Sequence, residues 1–416
     1  MKVLVIGGGG REHAIVHALS KSKLVTEIYA APGNAGIAKL AVCVNIKDTD
    51  IDNLVAFAKD EKIDLVVVGP EASLALGVVD RMNDEGIKVF GPTKAAAQIE
   101  SSKQFAKDIM KKYNIPTAGY NVFTNYEDAL KFVEKNSFPT VIKYDGLAAG
   151  KGVVIASNLD EAKTALKDML LDEKFGNDDK VVIEDYLEGP EFSFMCFVDG
   201  ANVYPLQLAQ DHKRAYDNDL GPNTGGMGAY SPLPFITKED YDFAYNEIMK
   251  KTADALVKEK VPFKGVLYGG LMKTKQGIKV IEFNSRFGDP ETEVVLPRLT
   301  SDIFEAFNAI IDGKEPILTW DENYTIGIVL ASKGYPGDYK KGFIIEGADS
   351  DDIYHMGTKI DENGNLVTNG GRVLFAVAKG KTLEEANKKA LAMVDKIKCE
   401  NLYHRTDIGA KAYKNV

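Results

Sequence analysis

Four apolar runs in the first hundred residues, KVLVIG, EIYAAPG, DLVVVGP and KVFGPT, constrain this chain more than any other feature. A strand buried on both faces reads as a continuous apolar run, whereas a half-buried strand alternates. Amphipathic segments such as IDNLVAFAKDEK lie between the runs. The pattern predicts a doubly wound parallel α/β sheet. Each run ends in a small, turn-forming cluster, at residues 7–10, 32–36, 69–71 and 91–93. In such a sheet these clusters share one edge, where ligands bind.

From about residue 102 the texture becomes α+β. YEDALKFVEK and LDEAKTALKDML read as helices, and PTVIKY, GVVIAS, KVVIEDYL and FSFMCFVDG as strands. The glycine-dense LGPNTGGMGAYSP follows, then a long helix near 238–259 and the strands KGVLYGGLMKT and IKVIEFNSRFG. After about residue 320 a third unit begins with TIGIVLASKG. Two Asn-Gly steps, Asn363-Gly364 and Asn369-Gly370, read as hairpin turns. The closing helix carries a capping box at Thr382 and Glu385. Its apolar face is Leu383, Ala386, Ala390, Val394 and Ile397.

The chain has 416 residues and a formal net charge of −10. That balance disfavours nucleic acid and anionic membranes as partners. An anionic substrate would have to be drawn in by local lysine, arginine, metal or backbone N–H groups. The cysteines, Cys43, Cys196 and Cys399, suggest neither a disulfide framework nor a zinc knuckle. The first apolar run is too short for a signal peptide and no segment has the length of a membrane span, so a cytoplasmic protein is expected.

Several stretches could carry chemistry. GLAAGKGVV resembles a phosphate loop but fails the Walker A pattern: Gly152 follows Lys151, and Asp145 stands where the first glycine should be. GGGGREH is a weak dinucleotide fingerprint, because Glu12 or His13 occupies the third glycine position. The second strand also ends without an acid for a ribose hydroxyl. What remains is a set of backbone N–H groups at a helix start, suited to a phosphate or carboxylate. His13 and His17 have a metal-ligand spacing without a third ligand; one packed and one exposed histidine is the better reading. Lys143 lies within a strand and reads equally well as a solvent-side gatekeeper. Glu184, Glu188 and Glu191 surround a Gly-Pro turn. In IEFNSRFGDPE, residues Glu282, Asn284 and Arg286 alternate and so share one strand face. Glu282 and Asn284 offer magnesium two hard oxygen ligands, and Arg286 can hold an anion. Asp211, His212, Lys213 and Arg214 precede the loop containing Gly225, Gly226 and Gly228, which suits an anionic reactant.

VIGGGGREHA, PGNAG, VGPE, GLAAGKGV, QDHKR, GPNTGGMGAYSP, EFNSRFGDPE and NGGRV occur in this order along essentially the whole chain. Together they resemble the glycinamide ribonucleotide synthetases, the phosphoribosylamine–glycine ligases of the ATP-grasp superfamily. The resemblance implies an N-terminal α/β domain (1–101), an ATP-grasp domain (102–316) with a mobile lid at about 118–187, and a C-terminal α+β domain (317–416). It implies ATP as co-substrate, magnesium or manganese as the metal, glycine and 5-phosphoribosylamine as substrates, and a monomer. By the same resemblance Gly150, Lys151 and Gly152 belong to a lid hairpin over the ATP phosphates, and Lys103 and Lys143 contact those phosphates. The backbone around Glu184, Tyr186 and Leu187 reads adenine, Glu191 holds the ribose, and Glu282 and Asn284 bind the metal. Gly8, Gly9, Gly10, Asn34 and Glu71 hold the phosphoribosyl substrate. Asn223, Thr224, Gly225 and Gly228 bind substrate beside an acyl-transfer centre of Asp211, Lys213, Arg286 and Gly226. Tyr144 and Ser285 depart from the family pattern, and GVLYGGLM lacks an extra acidic metal ligand. The family chemistry, through glycyl phosphate, needs no Ser or Cys nucleophile. The alternatives are another ATP-grasp carboxylate–amine ligase, an NAD-dependent oxidoreductase, or a nucleotide-binding regulator without turnover.

Overall fold

The computed structural model describes residues 1–148, 152–172, 174–176 and 180–414. The four N-terminal runs form β1 (Lys2–Gly7), β2 (Glu27–Pro32), β4 (Leu65–Val68) and β5 (Val89–Phe90), joined by a short β3 (Val42–Cys43). All pair in parallel in the order β3-β2-β1-β4-β5. The order reverses between β1 and β4, so the turns after these two strands open the crevice of a doubly wound sheet. Glu12 explains two glycines there. A Cβ on Gly7 would lie 2.6 Å from the Glu12 side chain, and one on Gly69 would collide with Glu12 Oε1. The Glu12 carboxylate accepts from Gly9 N at 2.7 Å and from Arg11 Nε at 2.6 Å. The turn expected to offer its N–H groups to an anion therefore spends the Gly9 N–H on Glu12.

Residues 120–185 form a separate antiparallel sheet of β6 (Tyr120–Phe123), β7 (Thr140–Tyr144), β8 (Val153–Ala156) and β9 (Val181–Asp185), in the order β6-β9-β7-β8. The helices Tyr126–Val133 and Leu159–Leu170 pack on it around a core of its own, which includes Val133, Ile142, Leu166 and Ile183. β10 (Glu191–Asp199) and β11 (Asn202–Pro205) follow. Then come β12 (Gln210–Asp211), β13 (Arg214–Tyr216), β14 (Leu220–Asn223) and β15 (Gly228–Ser231). β16 (Lys264–Thr274) and β17 (Gly277–Asn284) complete a second antiparallel sheet, β11-β10-β16-β17. The expected helix near 238–259 is α-helical over Lys238–Phe243 and Lys251–Lys258, with a π-helical stretch, Ala244–Lys250, between them.

The C-terminal strands are β18 (Tyr324–Ser332), β19 (Ile353–His355), β20 (Thr358–Ile360), β21 (Leu366–Thr368), β22 (Arg372–Gly380) and β23 (Leu402–Tyr403). β12 and β15, from the glycine-dense region, join this sheet in the order β12-β15-β18-β22-β19, with β23 on β18. Asn363-Gly364 turns the β20–β21 hairpin, with Gly364 at φ +82. Asn369-Gly370 is not a hairpin turn. β21 pairs with β20 and β22 with β18 and β19, and Asn369 N donates to Gly357 O at 2.8 Å. The closing helix spans Leu383–Val394, with Thr382 accepting from Glu385 N; Ile397 lies beyond its end but still packs on the core.

Helix Gly10–Ser20 docks on the C-terminal unit through its histidines. His13 Nδ1 accepts from His355 N at 2.8 Å, and His17 Nδ1 lies 3.1 Å from Tyr354 Oη. His17 is thus half-buried and bonded rather than exposed. Burial, reinforced by His355, lowers the His13 pKa from 6.5 to about 3. The folded chain holds His13 neutral while the unfolded chain protonates it below about 6.5, so stability falls as pH drops from 6.5 toward 3. His13→Asn keeps an acceptor for His355 N but gains no proton. Its melting temperature is expected to fall less than the parent's between pH 6.5 and 5, as followed by thermal melts.

Candidate active site

The three units enclose a cleft of about 330 Å³. Its floor is the end of β17, and a bulge shapes it. Gly270 faces Glu282 and Leu271 faces Val280, so Ile281 has no partner across the ladder. Lys143 Nζ donates to the freed Ile281 carbonyl at 2.9 Å. A bulge re-aims the side chains around it. Here it leaves Glu282, Asn284 and Arg286 lining the cleft together.

Lys143 is 3% exposed, which removes the gatekeeper reading. Its ammonium stands 2.9 Å from Glu184 Oε1, and Lys107 Nζ stands 2.8 Å from Glu184 Oε2. Glu184 is therefore no surface acid but the buried counter-ion of two lysines. Burial opposes its charge, yet Lys143 and Lys107 hold its pKa below the usual carboxylate range. Burial lowers Lys107 to about 8 despite Glu184. Lys103 donates to Gly146 O at 2.9 Å, and Asp145 Oδ1 accepts from Gln104 N at 3.1 Å, tying the lid to the start of helix Lys103–Lys112. Burial opposes the charge on Glu282, but Lys213, Lys143 and Lys103 keep its carboxylate ionised.

Arg286 is already partnered. Its Nη2 lies 3.0 Å from Glu100 Oε1 and its Nε 3.3 Å from Glu71 Oε2. Burial works against Glu71, but Arg286 and Arg11 bring its pKa down to about 2. The expectation that Arg286 waits free for an anion is thus corrected: two carboxylates share its guanidinium. Strand alternation also splits the DHKR stretch. Asp211 and Lys213 line the cleft and pair at 3.1 Å. His212 turns away, and its Nε2 accepts from Gly409 N at 3.1 Å. Arg214 Nη1 donates to Gly221 O, outside the cleft.

The remaining expected residues divide. Thr224 and Gly225 line the cleft, as do Glu71 and Gly152, whereas Asn223, Gly226, Gly228, Tyr186 and Leu187 do not. Glu191 borders a small adjoining cavity with Asp211, Lys213 and Glu282. Gly8, Gly9 and Gly10 are not among the lining residues of the cleft. Asn34 braces that turn, donating to Gly8 O and His355 O and accepting from Gly36 N and Ile37 N, which uses its whole amide. Gly150 and Lys151 lie outside the described residues. Sequence reasoning missed Arg11, Glu100, Lys107, Tyr268, Asp289, Glu291 and Arg372, all of which line the cleft. Arg372 pairs with Asp289 at 2.9 Å and donates to Gly225 O at 3.0 Å, so the C-terminal unit holds the glycine loop. Its NGGRV motif was visible in the sequence, but its partners were not.

Family models match three consecutive parts of the chain. They are the phosphoribosylglycinamide synthetase N domain (residues 1–100), ATP-grasp (A) domain (101–292) and C domain (325–411). The chain belongs to the phosphoribosylglycinamide synthetase family. It is accordingly an ATP-grasp enzyme, a carbon–nitrogen ligase of the phosphoribosylamine–glycine ligase type, acting in purine biosynthesis. The phosphoribosylamine–glycine ligase of Halalkalibacterium halodurans is 54% identical over 99% of this chain and 97% of its own length. That of Caldanaerobacter subterraneus is 50% identical, with 99% and 100% covered. The crystal structure of the Thermotoga maritima phosphoribosylamine–glycine ligase superposes with a TM-score of 0.88 at 35% identity, over 98% of this chain and 100% of that one. A biotin carboxylase domain from Hydrogenobacter thermophilus, solved with MgADP, shares the fold at TM-score 0.72 and 17% identity, over 97% of this chain and 91% of that one.

Removing one member of a buried ion pair typically costs about 3–5 kcal/mol, because its partner is left without compensation. Glu184→Gln is expected to lower the melting temperature, and adding Lys107→Met should restore part of the loss. Thermal melts of both variants check this.

Proposed function

We propose that this cleft joins glycine to 5-phosphoribosylamine through glycyl phosphate, with ATP as phosphoryl donor. What carries the reading is the gathering of Lys103, Lys143, Lys213 and Arg286 around Glu282 and Asn284 in a chain of this family. A glycine carboxylate oxygen attacks the γ-phosphorus as the bond to ADP breaks. The substrate amine then attacks the acyl carbon, the bond to phosphate breaks, and the nitrogen loses a proton. The first step sets anion against anion, so positioned positive charge supplies most of the catalysis.

Lys103 and Lys143 hold the ATP phosphates, and the adenine lies against the backbone near Glu184, Tyr186 and Leu187, with Glu191 at the ribose. Glu282 and Asn284 present two hard oxygens at the cleft floor, a donor set that fits magnesium. When bound there, the metal supplies charge neutralisation on the phosphates. Asp211, Lys213, Arg286 and Gly226 border the acyl-transfer centre. Glu71, Thr224, Gly225 and the turn at Gly8 and Gly10 orient the phosphoribosyl part. Asn34 and the Gly9 N–H leave this group, since both are committed elsewhere. The lid at about 118–187 excludes water from the acyl phosphate; its separate core supports movement as one body. A division at 1–101, 102–316 and 317–416, a cytoplasmic location and a monomeric state complete the reading. Among the described residues no helix is long and apolar enough to cross a membrane.

Phosphate release that requires both glycine and 5-phosphoribosylamine tests the reaction against another carboxylate–amine ligase. Glycine labelled with heavy oxygen in its carboxylate should place one labelled oxygen in each released phosphate. Unlabelled phosphate would overturn the acyl phosphate. Glu282→Gln is expected to lower kcat by about two orders of magnitude or more, the scale lost with one key electrostatic group, while circular dichroism stays unchanged.

A further inference from the structure

One buried ionisable group has no part in this chemistry. Glu293 lies on the short helix Thr292–Val295, is 0% exposed, and among the described residues neither of its carboxyl oxygens has a hydrogen-bond partner. Its carboxyl presses on the start of helix Gly10–Ser20. A Cβ on Gly10 would lie 2.5 Å from Glu293 Oε1 and 2.9 Å from Met356 Cγ. On the neighbouring residue, a Cβ on Gly9 would lie 3.6 Å from Asp289 Oδ2. Three acids thus flank Gly9 and Gly10: Glu12 pairs with Arg11 and Asp289 with Arg372 at 2.9 Å, whereas no ion pair of Glu293 is found among the described residues.

The titratable groups around Glu293 come from each packed element. Asp289 and Glu291 belong to its own turn, and Arg372 and Tyr354 come from the C-terminal sheet. On helix Gly10–Ser20, Arg11 and Glu12 pair with each other and His13 is taken by His355. An unpartnered carboxylate in a dry site is far less stable than the neutral acid. Burial, reinforced by Asp289 and opposed by Arg372, raises the Glu293 pKa well above the carboxylate range.

We propose that Glu293 is held as the neutral acid and is a positioning residue for the phosphoribosyl substrate. Uncharged, it leaves Arg372 to Asp289 and Gly225, a pair of one positive and one negative charge. Ionised, it would compete for Arg372, loosen the glycine loop and set a net negative charge against an incoming phosphate. The inference rests on the reading that the phosphoribosyl part docks at this end of the cleft.

The test measures ribose 5-phosphate binding to the full chain by calorimetry from pH 7 to 9.5, for the parent and Glu293→Gln. The parent is expected to lose affinity at alkaline pH at least several-fold more than the variant, and the two should agree within about twofold at pH 7. Parallel pH profiles, or a tenfold loss in the variant at pH 7, would overturn the proposal. Infrared difference spectra, parent minus Glu293→Gln and parent minus Glu293→Asp, decide the protonation state separately, since burial also raises Glu100, Glu191 and Glu291 and only the difference isolates Glu293. A carboxylic-acid C=O band in the parent at pH 7 that fades by pH 10 is expected, and its absence would overturn the proposal. If ribose 5-phosphate binds neither protein while the band is present, the docking reading fails and the positioning role falls with it, leaving the neutral acid standing.

Discussion

The ion pairs of Arg286 with Glu71 and Glu100 join the elements that line the cleft. Glu71 begins the helix after β4 of the parallel sheet, Glu100 sits on helix Lys94–Ser101, and Arg286 follows β17 of the grasp sheet. One guanidinium therefore fixes the N-terminal unit against the floor on which substrates would lie. Such a group costs much to desolvate and is stable only when its charge and donors are satisfied. The same rule recurs around the cleft in Lys143 and Lys107 with Glu184, Lys213 with Asp211, and Arg372 with Asp289. An acidic chain here concentrates cations in one cleft and pairs most of them with a carboxylate.

The apolar cores divide differently from the charges. The parallel sheet, grasp sheet and C-terminal sheet share continuous apolar cores. The lid keeps a core of its own and meets the rest through polar contacts, Lys143 to Ile281 O, Lys103 to Gly146 O and Asp145 to Gln104 N. To these is added the buried pair of Lys107 with Glu184, which is costly to leave with one partner uncompensated.

Much of the fold was legible because burial leaves a periodic trace. Continuous apolar runs marked the parallel strands, and Thr382 with Glu385 marked the helix Leu383–Val394. The misreadings have physical causes. Asn369-Gly370 carries hairpin chemistry, but its flanking strands pair elsewhere, and turn residues do not name a strand's partner. β12 and β15 lie in the stretch that matches the ATP-grasp domain, and their pairing with the C-terminal sheet leaves no local trace in the sequence. In the site, alternation correctly brought Glu282, Asn284 and Arg286 to one cleft. It could not tell that Glu71 and Glu100 would occupy Arg286, or that Glu12 would take the Gly9 N–H.

The sequence by itself determined the strand and helix content, the doubly wound N-terminal sheet and the family, since these rest on local periodicity and motif order. Tertiary structure alone decided the partners of the cleft's charges: Glu184 for two lysines, Arg372 for the glycine loop, and none for Glu293. Hydrophobic patterning records whether a residue is buried. It does not record which distant residue meets it there, and for a buried charge the identity of that neighbour sets whether the group is ionised, neutral or free to act.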